Sequence, residues 1–167
     1  MKRGIIIAIA VSVALSLPFY GAKWTNLMHI LGAVMFMGNL MVSGIWVSMA
    51  KRSWDRGAIT LAARGVSVAD AFVTTPGVLL LVLNGGILLP PYLAFAWMQV
   101  SLGLFALAVL IWLFALVPLQ GKILAAVEAG AEDPDALKSL FKNWFRWSGL
   151  ATLAGLVTMF LMVFNTP

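Results

Sequence analysis

The sequence contains no cysteine, a single histidine at position 29, and only 10% charged residues across 167 positions. Without cysteine, neither a disulfide framework nor a thiolate metal site can form. The scarcity of charge matters more, because 62% of the residues are hydrophobic. A soluble domain of this length has no way to cover so much apolar surface with polar groups, so the bilayer is the solvent. The formal charge of +5 does not indicate nucleic acid as a partner. Its basic residues flank apolar runs instead of clustering on one face, a pattern that sets orientation in a membrane.

Five apolar segments stand out, at residues 4–20, 25–50, 72–89, 92–119 and 147–164. About 20 residues at roughly 1.5 Å each cross the hydrocarbon layer, so each segment is long enough and the first is near the minimum. Lys2, Arg3, Lys51, Arg52, Arg56, Arg64, Lys122, Lys138, Lys142 and Arg146 fall on one side of a five-span arrangement, and Lys23 alone on the other. Positive residues remain inside, which places the amino terminus inside and the carboxyl terminus outside. The expected fold is therefore all-α: a polytopic membrane bundle of five transmembrane helices, with segments two to five as a four-helix core. Residues 1–22 form an N-terminal membrane helix with some features of a signal sequence. Its apolar run is long for one, and Phe19-Tyr20-Gly21-Ala22 is a poor cleavage site, so retention as an anchor is expected. Residues 23–167 form the bundle, and they keep the same orientation if the first segment is removed.

The connections differ in kind. Leu89-Pro90-Pro91-Tyr92 reads as a tight hairpin that makes segments three and four antiparallel neighbours. Residues 51–71 read as an inner loop holding a short amphipathic helix. A second inner helix is expected at the interface near 134–146, with Asp133 as cap, Pro134 in the first turn, and Leu137, Leu140, Phe141, Trp144 and Phe145 at helical spacing. Trp144 and Trp147 suit the inner aromatic belt and Trp24 the outer one.

Lipid offers no hydrogen bonds, so polar side chains within these segments should turn inward. At 100° per residue His29, Gly32, Phe36, Asn39 and Ser43 share one face of segment two, and Asp70, Thr74, Gly77, Leu81 and Asn84 share one face of segment three. Ser148, Thr152 and Gly155 make a weaker stripe on segment five, and Gln99 and Ser101 lie near the outer end of segment four. Helix packing accounts for most of these residues. Asp70 is expected to be structural, capping a helix or pairing with Arg64, and Thr75-Pro76-Gly77 reads as a helix start or a kink.

His29 calls for a different reading, because an ionisable group within a span is a functional candidate by default. One reading is a neutral imidazole bonded to Asn26 or Gln99. The other is an axial ligand to haem iron, with Gly32, Phe36, Asn39, Thr74 and Gln99 shaping the pocket and His29 as the one metal ligand. The second axial position would then fall to methionine, to water, or to the same histidine of a partner subunit. Met28, Met35, Met37 and Met41 invite a copper(I) reading too, but they lie on different faces and fit better as packing.

Trp24-x4-His29 followed by Gly32 and Gly38, then Asp70-x3-Thr74-x-Pro76-Gly77 and a closing Leu161-Met162-Val163 and Pro167, resemble the bacterial predicted integral membrane proteins grouped as a domain of unknown function. The resemblance covers the chain from Lys23 onward and implies an inner-membrane, multi-pass protein with no established activity. A more distant similarity joins Trp24, His29 and Thr75-Pro76 to the four-helix membrane proteins of the protoporphyrinogen oxidase and copper-resistance type. That similarity implies haem b bound through His29. The oxidases carry a lysine four residues after a tryptophan on a later helix. Here Trp97 is followed at that distance by Ser101, which neither anchors a carboxylate nor moves a proton, so porphyrinogen oxidation is not expected.

Three functions follow in order of expectation. The first is a haem-binding redox or electron-transfer component, the second a non-catalytic subunit or assembly factor in a homodimer or with a partner membrane subunit. The third is a small oligomeric transporter lined by Asn39, Asn84 and Gln99. The absence of cysteine makes the topology directly testable by single-cysteine labelling. A cysteine in place of Lys23 should react with an impermeant maleimide in intact cells, and one in place of Lys122 only after permeabilisation. Equal labelling of both in intact cells would refute the orientation.

Overall fold

A computed structural model describes residues 2–17, 21–129 and 134–165, and the expected Asp133 cap lies outside them. The described residues are helical throughout, apart from short turns. Helix α1 spans Lys2–Leu15, α2 Ala22–Ser53, α3 Arg56–Leu88, α4 Ala96–Glu128 and α5 Pro134–Asn165. Four of them, α2 to α5, are long and apolar enough to cross a membrane. Helix α1 has 14 residues, about 21 Å at the usual rise, which is shorter than the hydrocarbon layer and shorter than its apolar run suggested. It lies along the half of α3 away from the basic end, the outer half in the expected orientation by which inner and outer are named, with Gly4 against Phe72 and Ser16 bonded to Asn84.

The long helices exceed the thickness they cross. Each of α2, α3 and α4 runs 32 or 33 residues, about 48 Å against roughly 30 Å of hydrocarbon. The excess lies on the basic side. Residues 56–69, expected as a separate loop helix, continue unbroken into the span, and the interfacial helix near 134–146 continues as α5. The packed core extends into this projection through Ile59, Val66, Ile123, Val127, Phe141 and Trp144. Trp144 is therefore not a belt residue: it is 1% exposed, while Trp147 faces outward. The reason is that residues 134–146 are one helix with the rest of α5 and turn that face onto its neighbours.

Proline shapes α3 and α4 alike. Pro76 and Pro118 lack an N–H, and their rings crowd the carbonyl four residues back. One residue before each proline the ladder widens to a π-turn, so that Thr75 N–H donates to the Asp70 carbonyl and Val117 N–H to the Trp112 carbonyl. Thr75-Pro76 thus does not begin a separate helix but follows a π-turn within one.

The bundle is built from two principal pairs, α2 with the outer part of α3, and α5 with the outer part of α4. The Pro90–Tyr92 turn joins α3 to α4, yet each arm packs chiefly on a helix other than its hairpin partner. The first pair closes on glycine. A Cβ at Gly32 would stand 2.7 Å from the Gly77 carbonyl oxygen, and one at Gly77 would stand 2.9 Å from Met35 Cβ. Gly38, on the same helix, has nothing within 4 Å of such an atom. Gly32→Val should therefore destabilise the protein by about 1–3 kcal/mol and Gly38→Val by much less, read from unfolding in mixed micelles. Equal losses would show that the crossing is not what the glycine serves.

Candidate functional site

The inward stripes are where the helical spacing puts them. Gly32, Phe36 and Ser43 on α2, and Asp70, Thr74, Gly77, Leu81 and Asn84 on α3, are buried, and His29 and Asn39 are half-buried. The glycine crossing separates them into two polar centres.

At the outer centre, the His29 ring reaches across to α3, with Nδ1 3.2 Å from the Leu81 carbonyl oxygen. A carbonyl can only accept, so this contact makes Nδ1 the protonated nitrogen and leaves Nε2 with its lone pair. Gly85 supplies the room, since a Cβ there would stand 2.9 Å from His29 Cε1. The Leu81 carbonyl is therefore the partner of the ring, in place of the expected Asn26 or Gln99. Gln99 is exposed and donates to the Leu93 carbonyl at 3.1 Å, because α4 turns that residue outward at its first turn. Ser101 is fully buried and donates to the Trp97 carbonyl within its own helix at 2.8 Å.

At the inner centre, Asp70 is the hub. Its Oδ1 accepts from Asn39 Nδ2 at 3.0 Å and from Thr74 Oγ1 at 2.9 Å. Asn39 Nδ2 also donates to Thr74 Oγ1 at 2.6 Å, and Ser43 Oγ approaches Asn39 Oδ1 at 3.5 Å. Gln120 and Trp112 of α4 lie against the same carboxyl group, though Asp70 Oδ2 and Trp112 Nε1 each fall short of a full hydrogen bond. Both π-turns meet here, since Asp70 opens one and Trp112 the other. Asp70 does not pair with Arg64, which instead bridges to Glu128 of α4 at 2.6 Å near the inner end. Two turns of α3 separate Asp70 from that pair, and the shell around it is made of neutral donors.

Of the residues expected to form one pocket, the structure keeps His29 and Gly32 together near the outer centre, with Phe36 one turn further in. Asn39 and Thr74 belong to the Asp70 network, and Gln99 to the surface. The importance of Asp70 was obscured in the sequence by its charge-rich flank, which suggested a loop. A legible sign was its spacing, four residues before Thr74 on the buried stripe. Among the described residues no three His, Cys, Asp or Glu side chains converge, so a multidentate metal centre has no donor set there.

The network fixes what each member is worth. Asn39→Leu should cost about 1–2 kcal/mol, because it strips the carboxyl of one donor and Thr74 of another. Asp70→Asn should cost less, since an amide oxygen still accepts from Asn39 and Thr74. Unfolding of the two variants in mixed micelles checks the order, and the reverse order would show that the charge of Asp70 matters more than its acceptor.

No curated protein and no solved structure matches the chain. The family described as "Predicted integral membrane protein (DUF2269)" matches residues 23–166, a range that takes in the four long helices from Lys23 on. The apolar helices, their polar stripes and this match agree, and the chain belongs to that family of integral membrane proteins of unknown function.

Proposed function

We propose that this membrane protein binds haem b through Nε2 of His29 and serves as a redox or electron-transfer component of the bacterial inner membrane. The observation that carries the reading is the 3.2 Å contact of His29 Nδ1 with the Leu81 carbonyl. A histidine ligand characteristically donates its second ring N–H to a carbonyl or carboxylate, which fixes the tautomer and raises the basicity of the ligating nitrogen. The donor chemistry of one free imidazole nitrogen fits a single bond to iron. Gly32, closed against the Gly77 carbonyl, and Phe36, buried against Phe105, leave no room beside them for the group. Asn39, Thr74 and Gln99 are committed elsewhere, so of the expected pocket residues His29 alone would hold it. Bound haem would supply one-electron chemistry. His29 is the one residue placed to hold the iron, and any further ligand would be water or His29 of a second copy. Ser101 gives no group for porphyrinogen oxidation, so the reading is of binding and electron transfer, not of that reaction.

The same contact favours a second reading, in which His29 is a clamp between α2 and α3 in a non-catalytic subunit. Such a bond is worth about 0.6 kcal/mol on average in a membrane protein. Asparagine separates the two, because its amide reproduces the Nδ1 donor and offers no imidazole nitrogen.

Purified protein in mild detergent, oxidised and then dithionite-reduced, should show b-type bands that vanish in both His29→Ala and His29→Asn. A featureless spectrum after expression with ample haem would refute the ligand role. If His29→Asn then keeps the stability that His29→Ala loses, the clamp stands alone.

A further inference from the structure

The opposite end of the bundle carries a feature that neither His29 nor Asp70 uses. Lys51, Trp54, Lys138, Lys142 and Phe145 line an open groove of about 760 Å³ between the inner end of α2 and the first turns of α5. From this geometry we infer that the groove is a binding site for the phosphate-bearing headgroup of an anionic phospholipid of the inner leaflet.

Depth is the first argument. The outward face of α2 is apolar as far as Ile45, Trp46 and Met49, and turns basic at Lys51 and Arg52. The outward face of α5 makes the same change between Trp147 and Arg146, with Lys142 one turn further in. The groove thus begins within about one helical turn, roughly 5 Å, of the place where lipid-facing surface ends on both helices, and reaches Lys138 about 13 Å past Trp147 on α5. That is the headgroup layer, where an acyl chain could lie along α2 or α5 while its phosphate enters the groove.

Charge and construction are the second argument. Three ammonium groups border the groove. The ion pair that touches it among the described residues is Lys138 with Asp135 at 2.9 Å, on its exposed edge. Lys51 lies over the Phe145 ring with Nζ 5.3 Å from the centroid, so the floor holds a cation over an aromatic face. Trp54 is set by the backbone: it closes α2 in the left-handed region at φ 53°, its N–H bonded to the Ala50 carbonyl, and its ring meets Phe141 at 6.2 Å. Asp55 then caps α3 through the Ala58 N–H at 2.7 Å, which fixes the turn from the other side. An indole beside three lysines at the headgroup level can meet both the glycerol and the phosphate of a lipid.

A soluble phosphate compound shares the headgroup chemistry, and the test separates the sources. The protein is assembled into nanodiscs holding equal phosphatidylglycerol and phosphatidylcholine, and lipid retained after gentle extraction is counted by native mass spectrometry. Wild type should retain phosphatidylglycerol at least about tenfold over phosphatidylcholine. Lys51→Gln/Lys138→Gln/Lys142→Gln should lose that preference, while Arg52→Gln/Arg56→Gln/Lys122→Gln, with equal charge removed outside the groove, should keep it. Loss in both triple variants, or no preference in wild type, would overturn the proposal. In phosphatidylcholine discs, glycerol 3-phosphate titrated by calorimetry should bind far more weakly than the lipid is retained. Tight binding of it at the groove, without lipid preference, would overturn the lipid assignment. Helical circular dichroism and a single gel-filtration peak identify variants that remain folded, and the Lys51→Gln single variant should show a partial loss if the triple variant does not fold.

Discussion

The close approach of α2 and α3 at Gly32 and Gly77 is the constraint on which the rest depends. Lipid tails are as apolar as leucine, so these helices gain little by burying apolar surface against each other, and backbone proximity and hydrogen bonds must hold them. Once two glycines set the crossing, rotation about each helix axis is fixed. One turn outward, His29 then meets the Leu81 carbonyl. Two turns inward, Asn39 meets Asp70 and Thr74. Both polar centres are consequences of a contact that contains no polar side chain.

Much of this was legible in the residues. The stripes His29–Ser43 and Asp70–Asn84 are buried or half-buried as helical spacing requires, because a lipid environment leaves polar groups no alternative partner. The helices and their approximate positions followed from apolar length. Pairing across helices was less accessible. Asp70 looked closest to Arg64 along the chain, yet its partners come from 31 residues upstream and from the next turn. Gln99 and Trp144 show a different failure. Each was placed by distance from a membrane boundary, while its orientation is set by where its helix starts and by how far the helix runs past that boundary. Thr75-Pro76-Gly77 suggested a helix start or a kink, and Pro118 gave no sign in the apolar run around it. Only the backbone shows that a widened turn lets both helices continue.

The two centres divide the chemistry of the bundle. The outer one offers a single imidazole with an uncommitted nitrogen, the inner one a carboxyl group surrounded by neutral donors. Glycine makes space at the first, and π-turns frame the second. The basic groove at the inner end adds a surface of another kind, made from the ends of α2 and α5 and depending on neither.

The paired π-turns also bear on how this chain can tolerate length changes. A π-turn is an α-helix carrying one additional residue, and that residue turns everything beyond it by about 100° relative to an uninterrupted helix. In α3 and α4 the insertions sit side by side at Asp70 and Trp112, so the inner halves of both helices owe their facing to them. Removing one residue from either turn would leave a regular helix that still spans the bilayer. It would also swing that inner half, with Ile59 and Val66 on one helix or Ile123 and Val127 on the other, away from the core it now fills. In this fold, helix length and helix phase are separate quantities, and these two turns carry the phase.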